Sequence, residues 1–113
     1  MAAGGRWSVR DAYKNEIYLS DERWEHIVTS HPEMSACEEQ LKQTIRNGTR
    51  KQDLLNPSKY RYSRAFADLA EDNTHIVAIV LFRMREEKPD SVLPNNYVVT
   101  AYQKEIDRNR GYN

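Results

Sequence analysis

One cysteine, Cys37, is all the chain carries, and a single thiol closes neither an internal disulfide nor a four-cysteine zinc site. No apolar stretch approaches the ~20 residues that a membrane-spanning helix requires. The longest, Ile76 to Phe82, has the length of a buried strand. Met1-Ala2-Ala3-Gly4-Gly5 lacks the apolar core of a signal peptide, so the cytoplasm is the expected compartment, with no membrane partner. Glycine is scarce, at four residues, and neither a P-loop nor a glycine-rich dinucleotide turn is present. The three histidines do not make a metal motif. His26 and His31 diverge by well over a quarter-turn on a helix, and there is no HExxH pattern or clustered carboxylate set. No metal and no cofactor are expected, and Cys37 lacks the local signature of a Cys–His nucleophile. Net charge is zero, so the overall basic balance of many nucleic-acid binders is missing.

What is there fits one small domain. The chain has 113 residues, 39% of them hydrophobic, enough to bury a core without staples. Residues 1–14 read as an N-terminal extension, partly disordered, 15–104 as the folded domain and 105–113 as a polar tail. Charge is unevenly spread. From Ser20 to Gln40, Asp21, Glu22, Glu25, Glu33, Glu38 and Glu39 face only Arg23. From Leu41 to Arg64, Lys42, Arg46, Arg50, Lys51, Lys59, Arg61 and Arg64 face only Asp53. A local basic surface of this kind can hold a polyanion, although a solvated surface explains the pattern equally simply.

Periodicity divides the chain into helices followed by strands. Asn15 to Leu19 reads as a first strand. Ser20 is placed to cap a helix, with Asp21 and Glu22 in its first turn. Trp24, Ile27, Val28 and His31 form one apolar stripe, and Pro32 ends it. Ser35 and Glu38 have capping-box spacing for a second helix through Ile45, stopped at Gly48. Gln52 to Leu55 is a further strand. Lys59 to Ala67 alternates, placing Tyr60, Tyr62, Arg64 and Phe66 on one face and Arg61, Ser63 and Ala65 on the other. His75 to Arg83 reads as a central strand, Glu86 to Asn96 as a loop carrying Pro89 and Pro94, and Tyr97 to Tyr102 as the last strand. Helices first and strands afterwards predict an α+β domain with an antiparallel sheet, helices on one face and the other left for a ligand.

The polar residues on regular elements are His26, His31, Tyr62, Arg64, Thr100, Tyr102 and Lys104. Thr100, Tyr102 and Lys104 alternate on one face of the last strand. Tyr62 and Arg64 cannot share a face with Arg61, so that strand presents one guanidinium or the other. RNA cleavage without a metal needs a group to take the 2′-hydroxyl proton, another to protonate the departing 5′-oxygen, and cations or donors for the phosphorane charge. Histidine fits the proton transfers, arginine the phosphate oxygens, and aromatic faces a splayed base. Spacing alone does not separate these roles from structural ones. His31 extends the apolar stripe, His26 lies off it, His75 opens the central strand as a structural residue, and tyrosines are ordinary strand formers.

The segment Ile17 to Ile27 (IYLSDERWEHI), followed by His31-Pro32-Glu33-Met34, resembles the opening of phage-type members of the barnase–EndoU–colicin–RelE nuclease superfamily. The resemblance continues through Arg61-Tyr62-Ser63-Arg64, Ile76 to Phe82 and Val99-Thr100-Ala101-Tyr102, covering roughly 16–104. It implies two N-terminal helices packed on a curved four-stranded antiparallel sheet. The implied activity is a metal-independent endoribonuclease working by 2′-hydroxyl attack, as a toxin of a toxin–antitoxin or phage-related system. RNA is then the substrate, and an antitoxin or immunity protein a further partner. Carried across, the catalytic residues are His26, His31, Arg64, Thr100 and Tyr102, with Arg61, Tyr62 and Lys104 binding substrate. Ser63 stands where a second aromatic residue is expected. The alternative is a catalytically inactive RNA- or protein-binding module of the same fold.

Overall fold

Helical and strand periodicities separate into two layers in the computed structural model, which describes residues 5–106. In chain order the elements are β1 (Gly5–Arg10), β2 (Glu16–Ser20), α1 (Asp21–Ser30), a 3₁₀ turn (Pro32–Ala36) and α2 (Glu38–Asn47). They continue with β3 (Thr49–Gln52), β4 (Lys59–Ala65), β5 (His75–Leu81), β6 (Met84–Lys88), β7 (Ser91–Pro94) and β8 (Asn96–Lys104). Six strands form one sheet in the order β1-β2-β8-β5-β4-β3, and β6 pairs with β7 as a separate hairpin. Every neighbour in the large sheet is antiparallel except β2 and β8, which run parallel.

The four-stranded antiparallel sheet expected from the sequence is therefore corrected to a six-stranded mixed sheet with a two-stranded arm. Each difference has a physical origin. Trp7 and Val9 alternate with Ser8 and Arg10, and Val9 is buried, so the supposed extension holds an inward face and a strand; residues 1–4 lie outside the described part. The parallel pair is confined to Ile17 with Asn96 and Tyr18 with Tyr97, a contact across the whole domain that no local pattern announces. β3 begins at Thr49 and ends where Asp53 folds back on the loop. The arm was obscured by its prolines. Pro89 falls in the turn, beside Asp90 at φ 70°, and Pro94 ends β7, where an absent N–H removes little pairing.

The helices follow their local signals more closely. Ser20 caps α1 by accepting a hydrogen bond from the Arg23 amide at 3.1 Å, and the helix stops at His31 before Pro32. The second helix starts later than the capping box suggests. Glu38 does not reach back to Ser35 but holds Arg6 and the Trp7 indole, the latter at 2.8 Å. Ile27, Met34, Leu41 and Ile45 pack on Ile17, Leu19, Ile76, Ala78, Val80, Val98 and Ala101 of the sheet.

The sheet curls strongly toward the helices. Asp11 lies in the β1–β2 turn, yet the Tyr62 hydroxyl on β4 donates to it at 2.6 Å. Four strand spacings of about 4.8 Å would separate β1 and β4 by roughly 19 Å in a flat sheet. Only a curled sheet lets these side chains meet.

Gly48 joins α2 to β3 at a backbone crossing. A Cβ there would lie 2.4 Å from the Thr44 carbonyl oxygen and 2.6 Å from that of Ser63. Neither backbone atom can rotate away. Gly48→Ala is expected to lower unfolding stability by about 1–3 kcal/mol, as overpacking does, read as a lower urea midpoint; an unchanged midpoint would show that the crossing yields.

Candidate functional site

β4, β5 and β8 each turn alternate side chains away from the helices, and register aligns these into rows. Lys51 pairs with Arg61, Arg61 with Ile79, and Ile79 with Thr100. The next row is Ser63, Val77 and Tyr102, and the next Ala65, His75 and Lys104. A β-bulge in β8 makes this possible. Val98 opposes Val80 and Thr100 opposes Ile79, so Val99 is an extra residue. Bulges of this kind re-aim the side chains that follow. Without it, Tyr102 would share the inward parity of Val98 and Ala101 would turn outward.

Two hollows adjoin on this uncovered face. The larger, about 470 Å³, is bounded by Lys51, Leu54, Leu55, Lys59, Arg61 and Tyr102 among others. The smaller, about 240 Å³, is lined by Arg61, Ser63, Val77, Lys104, Glu105 and Ile106. Arg61 borders both.

His31 reaches the face from its edge. Among the described residues β8 has no strand on its outer side beyond Tyr97, and α1 and the 3₁₀ turn lie against it instead. His31, the C-terminal cap of α1, thereby brings its ring to Tyr102, with centroids 5.7 Å apart. Its Nδ1 lies 3.8 Å from the Glu33 carboxylate.

Cations divide sharply between the two faces. On the helix side, Arg6 binds Glu38 and Asp21. Arg50 lies 3.8 Å from Asp11 and against the rings of Tyr13 and Tyr60. Arg64 donates to Gln43 Oε1 at 3.0 Å and covers Phe66. On the open face, Lys51, Lys59, Arg61 and Lys104 form no ion pair among the described residues. Asp53, at the rim of the larger hollow, is already engaged: it accepts from the Leu55 and Asn56 amides at 2.8 and 2.9 Å. Those backbone bonds hold its carboxyl below the usual range.

The structure thus brings together His31, Arg61, Thr100, Tyr102 and Lys104. It separates three other residues from them. Arg64 lies on the opposite face of β4, as alternation requires. Tyr62 is 1% exposed, and burial, reinforced by its bond to Asp11, pushes its phenol well above the ordinary value; a base cannot stack on it. His26 is exposed on α1, and among the described residues no ring contact or hydrogen bond ties it to the open face. Lys51 and Lys59 also line the larger hollow, and neither is among the residues expected from the sequence. Lys59 was legible as the alternation partner of Arg61, whereas Lys51 depends on the β3–β4 register. His75, read as structural, has the same parity as Val77 and Ile79, and its Nδ1 lies 2.7 Å from Thr74 Oγ1.

No family model, curated protein or solved structure matches this chain. What the site can do therefore rests on its own chemistry. Among the described residues no three His, Cys, Asp or Glu side chains are grouped as metal ligands, and no helix is long and apolar enough to cross a membrane. Backbones of β4 and β8, two spacings apart, lie about 10 Å from each other. A guanidinium from one and a phenol from the other can close on a single phosphate between them.

Proposed function

We propose that the open face binds the RNA backbone and cleaves it as a metal-independent endoribonuclease, acting in the cytoplasm as a toxin of a toxin–antitoxin or phage-related system. One observation carries the reading: cations in no close ion pair, Arg61 foremost, share a hollow with Tyr102, against which His31 is set, while the nearby Asp53 carboxylate is occupied by the Leu55 and Asn56 amides. The sequence resemblance supports the same activity. In the reaction the 2′-oxygen attacks phosphorus and the P–O5′ bond breaks, leaving a 2′,3′-cyclic phosphate and a 5′-hydroxyl. His31 moves a proton in this exchange. Arg61 meets the charge that accumulates on the phosphorane, Thr100 and Tyr102 orient it by hydrogen bonds, and Lys51 and Lys104 hold neighbouring phosphates.

Purified protein incubated with total RNA in excess chelator is expected to yield fragments ending in cyclic phosphate, and His31→Ala to slow their release by about 100-fold or more. Intact RNA across pH 5–9, or equal cutting by the variant, would sink the assignment. A second reading, a catalytically silent module binding RNA or protein through the same face, is favoured by the restraint on His31 from the Tyr102 ring and the Glu33 carboxylate. It predicts binding lost on neutralising Arg61, with the RNA left uncut.

A further inference from the structure

The loop between β3 and β4 carries Leu54 at 93% exposure and Leu55 at 96%. Single exposed leucines are ordinary, but here two stand side by side in water on a loop that is also tightly held. Asp53 caps the Leu55 and Asn56 amides. Gln52 Nε2 donates to the Pro57 carbonyl at 2.8 Å, the Lys59 amide to the Asn56 carbonyl at 2.9 Å, and the Phe82 amide to the Ser58 carbonyl at 2.7 Å. The loop therefore displays its leucines in a set position rather than by fraying. Both border the larger hollow, together with Lys51, Lys59 and Arg61 and with Asp53, whose single carboxylate is taken up by the loop amides and leaves the cations in excess.

An occupant must satisfy both halves of this wall, anionic groups for the cations and an apolar face for the leucines. Unpaired nucleotides do so, since phosphates and a bare base face alternate along one strand. A duplex does not, because its base faces are stacked inside. The hollow, about 470 Å³, falls within the roughly 300–1,000 Å³ of sites that enclose small ligands, and leucine is among the side chains that wedge against bases. We infer that Leu54 and Leu55 form the base-contacting wall of a single-strand-specific site, with Lys51, Lys59 and Arg61 holding the flanking phosphates. This rests on the RNA reading above and adds its specificity: the substrate is unpaired RNA.

The test is fluorescence anisotropy with the full chain and three probes. These are a labelled RNA strand of about 12 nucleotides, the same strand annealed to its complement, and an abasic strand of equal length and charge. The single strand is expected to bind about tenfold more tightly than either of the others, as loss of one or two base contacts predicts. Leu54→Ser with Leu55→Ser abolishes that preference and leaves abasic binding unchanged, whereas Lys51→Gln with Lys59→Gln weakens all three. Abasic and normal strands binding equally, or no effect of the leucine pair, overturns the wall and leaves the RNA reading intact. No binding of any RNA overturns both. Sedimentation with anionic lipid vesicles, lost in the leucine variant while RNA affinity is unaltered, would assign the wall to a membrane surface and overturn the base contact.

Discussion

Asp11→Ala is expected to lower unfolding stability by about 3–5 kcal/mol, the range for removing one partner of a buried charged pair. Asp11 has a fully buried side chain. It accepts from the Tyr62 hydroxyl at 2.6 Å, the Asn15 amide at 2.8 Å and the Tyr13 amide at 2.9 Å, with Arg50 Nη1 at 3.8 Å. Alanine strands the phenol, two amides and a cation, and releases the β1–β2 turn from β4. Tyr62→Phe removes one hydroxyl and leaves the carboxylate its other donors, so it should cost only about 1–2 kcal/mol. Urea unfolding of both variants decides the matter. Equal losses would mean that Asp11 acts through Tyr62 alone.

The same carboxylate has a pH signature. Burial raises its proton affinity, but hydrogen bonds from Tyr62, Asn15 and Tyr13 outweigh that and hold it below the ordinary carboxylate value. A depressed folded value means that the unfolded chain binds the proton first as pH falls. The stabilisation is therefore complete above the unfolded value of about 3.9 and disappears as pH drops through the folded value. Glu38, held low mainly by Arg6, contributes in the same direction. The difference between wild type and Asp11→Asn isolates Asp11, and it should shrink below about pH 4; a constant difference would refute the linkage.

Arg61→Gln and Arg64→Gln are expected to part company. Under the proposed function, Arg61→Gln lowers RNA cleavage about 10²–10³-fold, the effect of losing a donor to developing charge. Its urea midpoint should barely move, within about 0.5 kcal/mol, because an exposed side chain without an ion-pair partner is removed. Arg64→Gln should do the reverse. It loses the bond to Gln43 and the cover over Phe66, lowering stability by about 1 kcal/mol while cleavage stays within a few-fold. Cleavage that depends on Arg64 and not on Arg61 would place the chemistry on the wrong face of the sheet.

These two arginines also mark where sequence reasoning stops. Alternation along Lys59 to Ala65 states that Arg61 and Arg64 oppose each other. It cannot state which faces the helices, because that depends on the side against which α1 and α2 settle. The resemblance named Arg64 first, and packing turned it inward. Tyr62 has a similar history: an aromatic residue on a strand serves equally for base stacking or core, and Asp11, 51 residues away, drew it inward. In β8 the alternation was read correctly for Thr100, Tyr102 and Lys104, but their outward direction depends on the bulge at Val99, which has no glycine or proline to signal it.

Short-range physics determined the helices, the stop at Pro32, the glycine after α2 and the central apolar strand. Caps, the 3.6-residue stripe and β-branched runs act among residues close in the chain, so their outcome is present in the sequence itself. Long-range closure decided the number of strands, the parallel β2–β8 pair, the inward or outward sense of each strand and the meeting of His31 with Tyr102. Those features minimise exposed apolar surface over the whole domain at once, and no window of neighbouring residues contains that constraint. The proposed chemistry hangs on the same closure, since it alone places Arg61 and Tyr102 on one hollow and sets the His31 ring against Tyr102.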